Sequence, residues 1–137
     1  MNASAPTMAE PVEVILPFAA EGAMIARDRL LSHLRSLSAR PDECDDARLV
    51  VSELVGNAVR HARPLGDGTV RVSWAIGPHG LDIAVSDGGA RSKPERIDSG
   101  ISDLSGRGLS IVETIATRWW VETSRTRTTV HALLRLT

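Results

Sequence analysis

The order of periodic segments predicts an α/β chain: a two-layer sandwich in which a mixed, mostly antiparallel sheet carries helices on one face. Three observations carry this. Five segments alternate apolar and polar residues with a period of two. Three others place apolar residues at helical spacing. The strand segments also pair through short turns, which argues against a Rossmann arrangement of parallel strands.

Taken in order, residues 1–11 read as a flexible leader, and 12–137 as a single domain. "VEVILPF" puts Val12, Val14, Leu16 and Phe18 on one side of a strand. From Met24 to Leu37, the residues Leu30, Leu31, Leu34 and Leu37 fall at helical spacing. A second helix begins at "RPDECDD", where Pro41 suits the first turn and the acidic cluster meets the positive dipole end. It runs to about Ala62, where "RPLGDG" stops it. "TVRVSWAI" and "LDIAVSD" flank the turn "GPHG" and predict a hairpin. A Gly-, Ser- and Arg-rich loop spans Gly88 to about Gly106. A short helix then starts near Gly108 with Leu109, Val112 and Ile115. "RWWVET" and "TTVHALLRL" form the last strand pair around "SRTR". Arg71, Ser73, Asp82, His131 and Arg135 have the opposite parity from the core residues, so they mark a face that is solvated or meets a partner.

Composition narrows the function. At 137 residues, 42% apolar and 24% charged, the chain is a globular domain large enough for a real core. A formal charge of −1 gives no electrostatic basis for direct nucleic-acid binding. No apolar run reaches membrane-spanning length, and the N-terminus has neither the basic nor the hydrophobic part of a secretory signal. The lone Cys44 excludes an internal disulfide and a cysteine-based zinc site. The default reading is a cytoplasmic monomer or small oligomer, a homodimer included.

Three motifs carry chemistry. In "SELVGNAVRHA", Glu53, Asn57 and His61 recur every four residues and so form a polar stripe beside the apolar arc, with His61 falling inside that arc. Taken alone, this is the flank of an amphipathic helix reaching solvent. In "IAVSDGG", Asp87 keeps the parity of Leu81, Ile83 and Val85 and points inward, where a carboxylate needs a partner. Taken alone, it begins a common Asp-Gly turn. In "SGRGLSIVETI", Gly106 and Gly108 precede a helix and leave backbone N–H groups open to an anion. No P-loop pattern and no third glycine of a dinucleotide fingerprint accompany them.

In this order, the three motifs resemble the N, G1 and G2 boxes of the GHKL (Bergerat) ATPase fold. Within that fold they resemble the anti-sigma factor serine/threonine kinase family most. "LVVSELVGNAVRHA" and "GRGLSIVETIATRW" carry the likeness, which runs from "VILPF" to the last strand. The resemblance implies ATP and Mg²⁺ as cofactors. Its partners would be a sigma factor and a STAS-domain anti-anti-sigma protein phosphorylated on serine or threonine.

Residue by residue, the resemblance implies that Glu53 is the catalytic base and Asn57 the magnesium ligand. Arg60 takes a phosphate-contact position, and His61 packs and orients. Asp87 accepts a hydrogen bond from the adenine amino group, and Gly89 lets the base or ribose approach. Gly106 and Gly108, with Arg107 and Leu109 at the helix start, surround phosphate oxygens. Thr129 is either a hydroxyl at the adenine end or a plain strand threonine. Arg91 stands where the family often has a further glycine; with Lys93, Arg96 and Arg107 it would clamp phosphates from a lid. Two other readings stay open. One is an ATP-dependent protein-binding module with little or no kinase activity. The other is a detached histidine-kinase-like ATPase domain, although the glycine boxes match that group less well.

Overall fold

The computed structural model describes residues 11–89 and 109–136. The leader and the loop proposed as a lid fall largely outside the described residues. The elements run β1 (Val12–Pro17), α1 (Ala20–Ser36), α2 (Pro41–His61), β2 (Thr69–Gly77), β3 (Gly80–Asp87), α3 (Ser110–Ile115), β4 (Arg118–Thr123) and β5 (Thr128–Leu134). Every segment expected from periodicity is present. Helix α1 begins four residues before Met24, because Ala20, Glu21 and Gly22 form a first turn that carries no apolar marker.

The strands form one sheet in the order β1-β2-β3-β5-β4. All four pairings are antiparallel, so the mixed sheet that was expected is antiparallel throughout its described strands. Register follows the apolar parity: Leu16 opposes Val70, Val72 opposes Val85, and Val85 opposes Val130. A one-residue slip would turn each apolar row to the other face.

The helices cover that apolar face. Leu30 and Leu34 of α1, Val50, Val51 and Val55 of α2, and Val112 of α3 are wholly buried against Val70, Val72, Leu81 and Ile83. Each such side chain contributes about 1.5–3 kcal/mol relative to exposure, so sheet–helix packing dominates the fold's stability. Trp74 is buried in this layer, and its indole N–H donates to His33 Nδ1 of α1 at 2.9 Å, so its one polar atom is satisfied. The start of α2 is held by the Arg40 N–H, which donates to Glu43 Oε1 at 2.9 Å.

The opposite face is bare of helices among the described residues. Arg71, Ser73, Asp82 and His131 are half-exposed there and Arg135 is exposed, as their parity required. Ala75, Ala84 and Ser86 lie on this face yet are buried. Among the described residues, no helix is long and apolar enough to cross a membrane.

Candidate functional site

The polar stripe on α2 is graded by depth. Glu53 is half-buried, Asn57 is 4% exposed, and His61 is exposed. His61 therefore does not lie inside the apolar arc: it is the last helical residue, and Ala62 beyond it takes the buried position.

Asn57 stands out chemically. Its side-chain Oδ1 is shielded from solvent and has no hydrogen-bond partner among the described residues. Such an orphan costs on the order of 1–3 kcal/mol and calls for an explanation. A side-chain carbonyl oxygen suits Mg²⁺, a hard cation that keeps waters and phosphate oxygens as its other ligands. Among the described residues, no group of three or more His, Cys, Asp or Glu could hold a metal. The described residues thus fit a magnesium ion that takes one protein oxygen from Asn57, and among them no all-protein metal cage is formed.

Glu53 lies one turn before Asn57 and Arg60 one turn after. The Arg60 guanidinium folds back along the helix: a Cβ on Gly56 would lie 3.1 Å from its Nη1. The cation thereby sits beside Gly56, near the level of Asn57, and not beyond the helix end.

Asp87 closes β3 on the inner face and is 6% exposed. Its Oδ1 accepts the Gly89 N–H at 2.7 Å. Both glycines after it have a physical reason. A Cβ on Gly88 would lie 2.2 Å from the Pro64 carbonyl oxygen, which is impossible without moving the backbone. Gly89 has a φ of +101°, a conformation that L side chains rarely adopt. These two residues make a backbone bridge to the chain leaving α2. Arg63 N donates to Gly89 O at 2.9 Å, and Gly88 N donates to Arg63 O at 2.8 Å. The end of the helix carrying Glu53 and Asn57 is thereby locked to the strand end carrying Asp87.

Of the two readings left open for Thr129, the ladder agrees with the plain strand threonine. Thr129 opposes Ser86 on the outer face, and their hydroxyl oxygens are 2.7 Å apart. Thr128 opposes Asp87 on the inner face, and a Cβ on Gly89 would lie 3.8 Å from its Oγ1. The signal was available: counting by twos from Val130 and Ala132 puts Thr128 inward. Leu109 is wholly buried in the core, so a ligand there would meet only its backbone. Arg91, Gly106, Arg107 and Gly108 lie outside the described residues. Sequence reasoning missed Thr128, the close approach at Gly88, and the bridging role of Arg63.

The chain is similar to a crystal structure of the RsbU and RsbW domains of Rv1364c from Mycobacterium tuberculosis, with a TM-score of 0.71 and 21% identity. The match covers 93% of this chain and 33% of that one, so this chain spans about a third of it. At that identity the likeness establishes a shared fold. No curated protein matches. The family model for the histidine kinase-like ATPase domain matches residues 16–134, which runs from the end of β1 through the polar stripe of α2 and the Asp87 turn to the end of β5. The buried Asp87 and the unpaired Asn57 oxygen thus lie within the matched region of a chain that belongs to the histidine kinase-like ATPase domain family.

Proposed function

We propose that this chain is an ATP-binding regulator of the anti-sigma type. In this reading it binds a sigma factor and phosphorylates a serine or threonine of a STAS-domain anti-anti-sigma partner. The observation that carries the reading is the buried, unpartnered Oδ1 of Asn57, one helical turn from the carboxylate of Glu53.

Asp87 would accept a hydrogen bond from the adenine amino group, which guanine replaces with an acceptor oxygen. Thr128, opposite it in the ladder, supplies a second polar group at the same end. Arg60 would meet phosphate oxygens with a flexible cation. Asn57 would hold Mg²⁺, which when bound screens the charge of the phosphates. Glu53 would accept the partner's hydroxyl proton as its oxygen attacks the terminal phosphorus and ADP departs. The motif likeness to anti-sigma kinases and the fold shared with the RsbU and RsbW structure support this assignment of partners.

The test is Glu53→Gln. The variant keeps side-chain volume and hydrogen bonding, so affinity for nucleotide and sigma factor should hold. Transfer of labelled phosphate to a co-encoded STAS protein should fall by about 10²–10⁴. Tight partner binding without phosphate transfer by the wild type would instead establish an ATP-dependent clamp. Wild-type transfer rates in Glu53→Gln would remove Glu53 as the base.

A further inference from the structure

A cavity lies on the helix-free face of the sheet, away from Asn57 and Asp87. It measures about 310 Å³ and is formed by the β2–β3 turn together with Asp82, Arg118, Trp120 and Leu133. Asp82 and Asp87 are five residues apart on β3 with opposite parity. The cavity is therefore on the other face and about 17 Å further along the strand.

The floor is an ordered row. Asp82 pairs with Leu133, and Leu133 pairs with Arg118, so an acid, an apolar residue and a base lie side by side on three adjacent strands. Strand spacing puts the Asp82 and Arg118 Cα atoms roughly 10 Å apart, and among the described residues the two side chains form no ion pair. Asp82 uses Oδ1 for His131 Nδ1 at 3.2 Å, which leaves Oδ2 unspent among the described residues. Arg118 has its guanidinium carbon 4.9 Å from the centre of the Trp120 ring.

The wall is rigid. Trp120 stacks on His131 with centroids 4.7 Å apart and planes 4° from parallel. His131 is fixed in turn by Asp82 and by Glu122, whose Oε1 is 3.1 Å from its Nε2. A half-exposed indole pinned in this way loses little entropy on meeting a ligand.

We propose that this cavity binds a small zwitterion, an apolar α-amino acid or a close analogue. Its carboxylate faces Arg118, its ammonium faces Asp82, and its side chain lies on Leu133 and Trp120. Charge of one sign alone would meet one attractive and one repulsive end of the row; a zwitterion satisfies both. A cavity of this volume suits a ligand of amino-acid size. Such a site would let the domain sense a metabolite on the face opposite its nucleotide site.

The experiment titrates L-leucine, L-phenylalanine and L-tryptophan into isotope-labelled full chain and follows the Trp120 indole N–H by NMR. Hydrocinnamate, phenethylamine and N-acetyl-L-leucine amide serve as probes lacking the ammonium, the carboxylate or both charges. At least one amino acid should shift the indole resonance saturably and bind more tightly than any of the three controls. Arg118→Gln should weaken that binding about tenfold, as expected for one charge-assisted contact, with ATP affinity unchanged. Arg118 is exposed on the edge strand β4, and a thermal melt checks that the variant is folded. No shift with any amino acid, equal binding of the uncharged amide, or wild-type affinity in Arg118→Gln would each overturn the proposal.

Discussion

Asp87 and Thr128 stand directly opposite each other in the β3–β5 ladder, both on the helix-covered face, while Thr129 turns outward to Ser86. Two polar groups thus share the inner end of this strand pair, and parity sends the neighbouring threonines to opposite faces of the sheet. Calorimetry should find ATP and ADP with Mg²⁺ bound and GTP rejected by up to roughly 10⁴-fold. Thr128→Val should weaken ATP binding about fivefold, the worth of one hydrogen bond, and Thr129→Val should leave it unchanged. Equal affinities for ATP and GTP would remove the Asp87 assignment.

Asn57 gives a separate prediction, because its Oδ1 has no partner to lose. Asn57→Ala removes that orphan and should leave the nucleotide-free protein at least as stable as the wild type. Nucleotide at 100 times its dissociation constant stabilises a protein by about 2.7 kcal/mol, and the Mg²⁺-dependent part of that gain should vanish in the variant. Differential scanning fluorimetry with and without Mg²⁺ reads both. A metal-dependent shift that survives would place the magnesium ligand elsewhere.

The bridge between Arg63 and the two glycines predicts a large backbone effect. Gly88→Ala forces a methyl group to within 2.2 Å of the Pro64 carbonyl oxygen, so the strand end or the helix exit must move. A loss of about 2–3 kcal/mol is expected, together with weakened nucleotide binding. Gly66→Ala is the control: a methyl group there would meet no heavy atom within 4 Å, so urea denaturation should show little change.

His131 predicts a pH dependence. The hydrogen bond to Asp82 raises its pKa; burial opposes this, and the charges of Asp82 and Glu122 add to the rise. The charged form is thus favoured in the folded state. Its contribution is fully present below the ordinary histidine value of about 6.5 and is lost as pH rises through the raised folded value. His131→Gln should flatten the dependence of the urea midpoint across that window. An unchanged slope would mean that the His131 contacts with Asp82 and Glu122 do not persist in solution.

Much of this was legible in the sequence for one reason: burial imposes a period on the chain. Val70, Val72 and Trp74 alternate because one face of β2 meets the helices, and Leu30 and Leu34 recur because one face of α1 meets the sheet. The same counting put Asp87 inside. It failed for His61, because a helix end turns its last residue away from the arc that the preceding turns define. For Thr129 two readings stood open, and counting back from Val130 turns it outward to Ser86.

Local periodicity is enough to set the layers, the element order and the inward carboxylate at the end of β3. Only the tertiary structure decided which groups meet. The link from Arg63 to Gly88 and Gly89 joins segments 25 or more residues apart. The row from Asp82 through Leu133 to Arg118 crosses three strands. The Oδ1 of Asn57 is buried with no hydrogen-bond partner among the described residues, which helical periodicity does not show. Periodicity fixes which way a side chain faces, but register and packing fix what it finds there, and that depends on residues distant in the chain.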